Sequence, residues 1–452
     1  LPWRVARAQK KEVHEMAAVV TTSLLVLFAF FMLSFHVASA LGLTAAITGS
    51  LFLGDIWSFF AQIPWNNISN SGLIVVPLFI LMGELLLRSG VTEDLYETLS
   101  KWMGRVPGGL LHSNVLASGL FASICGSSVA TTSTIGAVAL PQMRRHGYDE
   151  KLAMGSIASG GTLGILIPPS VIMIIYAIMA EVSIAQLYMA GIVPGLLMMV
   201  AFMLVIFIAA LLVPTKAPRL QARASWQERI RGLRAIVPVL ILMFMVLGTI
   251  YAGIATPTEA AGFGSVGAFF LALLRRRVNR AMLREVFLAT ASTTSMVMLV
   301  VVTAFVLQFV LSLGGVPAAV SNWIGGLGLS QLELILLIGV ILVLLGTFME
   351  SMALIVCTMP ILLPILKMAG VDLVWFGIIA VILVEMSLIT PPVGMNLFVM
   401  QGLRMRLDGA HRVGPITQVF ASTVPFVVAM AVVLGLIIAY PNIAMGLVHS
   451  MR

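Results

Sequence analysis

The chain has 452 residues, of which 60% are apolar and only 10% charged, with a mean hydropathy of +1.08. A soluble chain of this length needs roughly a quarter charged residues to cover its surface, so the composition excludes a soluble enzyme and predicts a multi-pass protein in a lipid bilayer. The net charge of +8 does not predict nucleic acid as a partner, because the basic residues sit in short connectors between apolar runs rather than on a soluble face with aromatic neighbours. Cys125 and Cys357 lie alone in apolar runs and read as packing residues.

In chain order, residues 1–16 form a basic, cytoplasmic segment with Arg4, Arg7, Lys10 and Lys11. The run that follows, with Ala38-Ser39-Ala40 after it, resembles a secretory signal. Its apolar core exceeds the about 15 residues of such a signal, so 17–36 is read as a retained first helix. Further membrane segments are predicted over 37–54, 72–88, 109–125, 128–143, 152–167, 170–180 and 185–213. After the basic connector come 235–254, 258–274, 286–312, 331–347, 349–366, 374–390, 393–403 and 419–440. Several are too short to span alone and read as half-helices or re-entrant hairpins. Stretches 55–70, 92–105 and 317–328 are amphipathic or carry Trp57, Trp65, Trp102 and Trp323, and are expected along the interface. Basic residues cluster at 216–234, 275–284 and 404–412, the pattern that marks cytoplasmic loops.

A repeat organises the chain. Pro141, Gly147, Asp149 and Pro168-Pro169 superimpose on Pro364, Gly370, Asp372 and Pro391-Pro392 at one ungapped offset of 223 residues, which also places Ser128 on Ser351. Proline removes a backbone donor and clashes with the preceding turn, and paired interrupted segments in two halves point to a transporter's binding site. The first copy's loop carries Arg144, Arg145 and Lys151, and the second only Lys367. The copies are therefore predicted upside down relative to each other. The fold class is all-α and polytopic, with inverted repeats, re-entrant hairpins and proline-broken helices, a plan common among secondary transporters. Residues 17–213 make a first half holding module 1 (about 109–180), 214–234 a basic cytoplasmic linker and 235–285 a helical pair with its linker. Residues 286–452 make a second half holding module 2 (about 331–403).

Each module pairs a polar tip with a break. Hydroxyl and backbone oxygens suit a small monovalent cation, whereas a carboxylate cage favours calcium. One sodium is expected among Gly126, Ser128, Gly161, Thr162 and Gly164. A second is expected among Gly346, Thr347, Glu350, Ser351 and Thr390. A substrate carboxylate is expected between them, near Ser127, Thr131, Pro168, Pro169, Ser170, Pro391, Pro392, Gly394 and Asn396, where half-helix N-termini offer positive dipole ends. Interhelical hydrogen bonding is the alternative for the hydroxyls, and a kink without a ligand the alternative for the prolines. Glu84, Glu259, Glu350 and Glu385 are read at membrane depth, where a carboxylate must face a cavity, pair or stay protonated. These glutamates keep a proton-coupled carboxylate transporter or a proton-pumping subunit open as alternatives, and an ion channel is a third reading. No motif of enzymatic chemistry occurs. Thr256 to Gly262 resembles the loop by which permeases dock an ATPase subunit. Its flanking helices end in the basic connectors, however, so its tip lies on the wrong side and no ATPase is expected.

Taken together, Pro77 to Glu84, Gly126-Ser127-Ser128, Gly160 to Ser170, Pro257 to Ala261 and Ile389 to Asn396 resemble the large membrane subunit of tripartite ATP-independent periplasmic (TRAP) transporters. The resemblance covers nearly the whole chain after about residue 20; Ser387 stands where that family usually has glycine. It implies a sodium-driven importer of organic acids (C4-dicarboxylate, sialic acid or a related carboxylate) in a bacterial inner membrane. It also implies a small four-helix membrane subunit, a periplasmic substrate-binding protein, an elevator-like transport domain, and no cofactor beyond the coupling sodium.

Overall fold

The computed structural model describes residues 18–450 other than 55, 70, 219–223, 318, 321–325, 327 and 409–412. The expected basic segment 1–16 and the centre of the 317–328 segment, with Trp323, lie outside the described residues. Among those described, helices follow one another without a strand. They are α1 (Ala18–Met32), α2 (Val37–Phe52), α3 (Trp57–Ile68), α4 (Val75–Arg88), α5 (Val91–Met103), α6 (Gly109–Cys125), α7 (Ser128–Arg145), α8 (Glu150–Leu166), α9 (Val171–Ala180) and α10 (Ile184–Leu212). Then come α11 (Trp226–Tyr251), α12 (Pro257–Leu274), α13 (Arg280–Leu313), α14 (Gln331–Gly346), α15 (Ser351–Met368), α16 (Leu373–Leu388), α17 (Met395–Asp408), α18 (Thr417–Ala439) and α19 (Asn442–Ser450). The last, a short terminal helix, was not expected from the sequence, and α13 begins six residues earlier than the expected segment.

Helix boundaries follow local chemistry. In the repeated Gly-x-Asp, Gly147 and Gly370 take the left-handed conformation (φ +74° and +68°) that closes the preceding helix. Asp149 and Asp372 then accept backbone N–H bonds as N-caps of α8 and α16. Ser225 with Glu228, Thr256 with Glu259 and Ser330 with Glu333 form reciprocal capping boxes at α11, α12 and α14. This corrects the reading of Glu259 as a membrane-depth carboxylate: it is exposed, and its side chain accepts from the Thr256 backbone at 2.8 Å. Glu84 is also accounted for locally, paired with Arg88 at 3.3 Å, while Arg88 reaches Glu285 at 2.9 Å. Trp102 is not anchored by lipid alone; it meets Trp226 edge-on, and the Arg229 guanidinium lies over both rings.

The helices pack as two groups that meet where α5 and α4 lie on α6 and where α13 lies on α15. In one, α4 lies against α12 and α13, α13 against α2 and α3, and α11 against α5 and α12. In the other, α8 is surrounded by α6, α7, α10, α16 and α18, and α14 and α15 pack on α16. Both halves run in the same order, a helical hairpin (α6–α7; α14–α15) followed by a broken helix (α8–α9; α16–α17). α8 and α9 meet at a bend of 42°.

Side-chain bonds fix their relative direction. At the far end of α9, Tyr176 donates to the Leu373 carbonyl at the start of α16 (2.7 Å), and Lys367 pairs with Glu181. At the far end of α17, Arg404 and Asp408 bind Glu150 and Arg144, beside the start of α8. Each broken helix thus begins where the other ends, which makes the two modules inverted.

Candidate functional site: the two hairpin tips and the helix breaks

In module 1 the chain turns at Gly126 (φ +59°) between α6 and α7. A Cβ on Gly126 would lie 3.2 Å from the Pro169 carbonyl and 3.4 Å from the Val171 nitrogen, so the tip rests on the break and on the first amide of α9. The start of α7 lies along the end of α8. Ser128 Oγ donates to the Thr162 carbonyl at 3.4 Å, and a Cβ on Gly164 would stand 2.7 Å from the Ser127 carbonyl oxygen and 2.9 Å from Thr131 Oγ1. At Gly161 a Cβ would overlap Thr132. Gly126, Ser127, Ser128, Thr131, Gly161, Thr162 and Gly164 are therefore brought together, with Pro168, Pro169 and Ser170 buried beneath the tip. Ser127 and Ser170 act locally as N-caps of α7 and α9.

In module 2 the tip spans 347–350. Gly394 N donates to the Thr347 carbonyl at 3.2 Å, joining tip to break, and Gly346 faces Ser387 so closely that a Cβ would overlap its hydroxyl. The Leu388 and Thr390 carbonyls lie 3.0 Å from the position of a Cβ on Gly394, which itself has φ +59°. Glu350 turns back as the N-cap of α15, one oxygen accepting from Met352 N at 2.9 Å and Ala353 N at 3.3 Å. No contact carries Ser351 across to Thr390, although Ser351 is buried beside Glu350. Pro391 and Pro392 are exposed where Pro168 and Pro169 are buried, so the two breaks differ in access.

The hydroxyls share a feature suited to a cation. Thr131, Thr162, Thr347 and Thr390 each donate to a carbonyl three or four residues earlier, at 2.6–2.8 Å. With the proton committed backwards, the oxygen lone pairs are free to face an ion.

The modules meet at their breaks. Asn396 Nδ2 donates to the Ala158 carbonyl at 3.2 Å, and Thr423 on α18 donates to the Ile389 carbonyl at 3.0 Å. Glu385 is fully buried facing the backbone amides of Ile165 and Leu166, with neither carboxyl oxygen in a hydrogen bond. Asn114, Ser118, Thr132 and Ser159 add buried oxygens without partners around α8. Asn114, Ser118, Ser159 and Thr423 were not expected at the site; Thr132 and Ser387 lie in the expected tip and break without having been named as ligands. The repeat pairs like with like, and these positions have no polar counterpart at the shared offset. Their one available signal was a polar side chain inside an apolar run.

Broken helices facing one another through inverted hairpins define a secondary transporter rather than an enzyme. The chain belongs to the family described as "Tripartite ATP-independent periplasmic transporter, DctM component", which matches residues 24–443. It is 35% identical over 409 residues to the C4-dicarboxylate TRAP transporter large permease protein DctM of Pseudomonas aeruginosa, covering 90% of this chain and 93% of that protein. It is 31% identical over 388 residues to the sialic acid TRAP transporter large permease protein SiaM of Vibrio cholerae, covering 85% and 88%. In fold it is similar to the YdaH transporter of Alcanivorax borkumensis, with a TM-score of 0.67 at 16% identity over 96% of this chain and 99% of that one. The protein is a multi-pass permease of the bacterial inner membrane.

Proposed function

We propose that this chain carries a carboxylate (a C4-dicarboxylate, a sialic acid or a related organic acid) inward with sodium, receiving it from a periplasmic binding protein. The observation that carries this reading is the doubled arrangement of a hydroxyl-bearing tip resting on a proline break. One sodium sits with Ser128, Thr131 and the Gly161–Gly164 backbone. The other sits with the carbonyls around Thr347, Thr390 and Gly394. The substrate carboxylate lies between them, against the N-termini of α9 and α17. An inside-negative potential opposes each entering negative charge by about 2.3 kcal/mol per 100 mV, so a monocarboxylate needs one sodium for neutrality and a second to gain drive. A small membrane subunit packs on α2 and α3, whose outward residues include Trp57 and Trp65 and of which α3 buries none.

The test is uptake into proteoliposomes holding this chain, its small subunit and the binding protein. Uptake should follow an imposed sodium gradient, and Ser128→Ala should raise the sodium concentration for half-maximal transport while membrane insertion is unchanged. Equal uptake with potassium replacing sodium overturns the coupling, and unchanged sodium dependence in Ser128→Ala overturns the first ion site.

A second reading rests on Glu385, a carboxyl without a partner at the junction of the modules. If a proton rather than sodium drives transport, Glu385→Gln abolishes uptake under a proton gradient. Under the sodium reading, the isosteric amide keeps sodium-driven uptake.

A further inference from the structure

Where the basic connectors meet the apolar helices, the ends of α4 and α12, the start of α5 and the first half of α11 border an open cavity of about 420 Å3, lined by Glu93, Asp94, Arg234, Arg275, Arg277 and Leu274 among others. Its charges do not cancel. Arg275 holds Asp94 at 2.6 Å. Arg234, Arg277 and Glu93 have no ion-pair partner among the described residues, leaving one net positive charge. Gly90, at φ +78°, keeps the floor open: the Arg277 guanidinium nitrogens lie 3.7 Å, and a Glu93 oxygen 3.6 Å, from where its Cβ would be. Beside the charges the wall turns apolar through Pro238, Leu271 and Leu274, and Leu274 faces outward, 81% exposed.

A ligand matching this wall brings one negative charge with several acceptor oxygens, a hydrogen-bond donor for Glu93, and apolar chains. We infer that the cavity binds the headgroup of an anionic glycerophospholipid, its phosphodiester on Arg234 and Arg277, its headgroup hydroxyl on Glu93, and its acyl chains along Pro238 and Leu274. Guanidinium forks suit phosphate oxygens, and basic pockets between helices on the cytoplasmic side take such headgroups. Free phosphate shares the polar half of this chemistry but leaves the apolar wall bare. The site joins α4, α5, α11 and α12, so the lipid ties one of the two helix groups to the inner leaflet.

The test is native mass spectrometry of the full chain, stripped of lipid in detergent and resupplied with phosphatidylglycerol or phosphatidylcholine. Phosphatidylglycerol should be retained preferentially, and Arg234→Gln and Arg277→Gln should each weaken retention about fivefold. Leu274→Ser serves as a second variant that leaves the charges in place and should also reduce retention. Equal retention of both lipids, or retention unchanged in the double arginine variant, overturns the inference. So does displacement of the lipid by millimolar inorganic phosphate, which assigns the cavity to free phosphate, or its exclusion by added small membrane subunit, which assigns it to a protein contact.

Discussion

Glycine where the helices of a module meet works by the absence of a side chain, and its consequences are specific. At Gly164 an added methyl would meet the Ser127 carbonyl at 2.7 Å, a backbone atom that cannot swing aside. Overpacking of this kind costs about 1–3 kcal/mol, so Gly164→Ala should lower the melting temperature in detergent and raise the sodium requirement together. Gly435 on α18 has nothing within 4 Å of the corresponding position. There, alanine should be neutral or stabilise by about 0.5–1 kcal/mol, the ordinary gain in a helix interior. Gly346 and Ser387 make a coupled pair. Gly346→Ala overlaps the Ser387 hydroxyl and crowds a Leu354 methyl at 2.7 Å; Ser387→Gly removes the first obstacle and the flexible Leu354 end can turn aside, so the double variant should recover about 1–3 kcal/mol relative to the sum of the single changes. A double-mutant cycle on thermal stability measures this. The space for the Ser387 side chain is supplied by the glycine on the opposite helix.

Among elements, the bond between the α7–α8 corner and α17 matters most for holding the halves in register. Arg404, with its side chain only 4% exposed, binds Glu150 at 2.9 Å and also reaches Gln401, Gln418 and the Gly414 carbonyl. Arg144 joins Glu150 to Asp408. Removing Arg404 leaves Glu150, 37% exposed, still paired with Arg144, but strips Gln401, Gln418 and the Gly414 carbonyl of a donor, at a cost of about 1–3 kcal/mol. Arg404→Ala should therefore destabilise the purified protein by that order, seen as a drop in melting temperature. Arg144→Ala, at a more exposed pair, should cost less. The Gly-x-Asp signature was legible as a repeat, and its capping role followed from residue chemistry. The Arg404 network was not legible, because its partners lie up to 254 residues apart.

For the whole molecule, the division into two helix groups sets an expectation for movement. If the group built around α8 and α16 moves as one body against the group built around α4 and α13, links within it are harmless and links across it arrest transport. In a chain with Cys125 and Cys357 replaced by alanine, a Glu181→Cys/Lys367→Cys pair lies inside the first body, where the native ion pair spans 3.5 Å. Cross-linking it should leave uptake intact. A Phe79→Cys/Tyr188→Cys pair bridges α4 and α10, whose rings stand 6.1 Å apart, and joining it with a short bifunctional reagent should stop uptake. Arrest by the first pair, or free transport with the second, refutes a rigid-body movement between these groups.

Composition, hydropathy runs and the proline repeat determined by themselves that the chain is a helical membrane protein with two like modules. Bilayer thickness dictates segment length, and proline disrupts a helix wherever it stands. The basic loops also predicted the inversion, since charge bias sets the sidedness of short connectors. Other features were decided by tertiary structure alone. Glu259 proved to be a capping residue, because whether a carboxylate lies at a helix end or at its middle depends on where the preceding turn closes. Glu385, Asn396 and Thr423 gained their place at the junction of the breaks only when helices from opposite halves were brought together, and Pro168 and Pro391, identical in sequence context, ended in unequal exposure. Periodicity reports which backbone a segment adopts; which polar groups then share a buried space is set by packing between segments hundreds of residues apart.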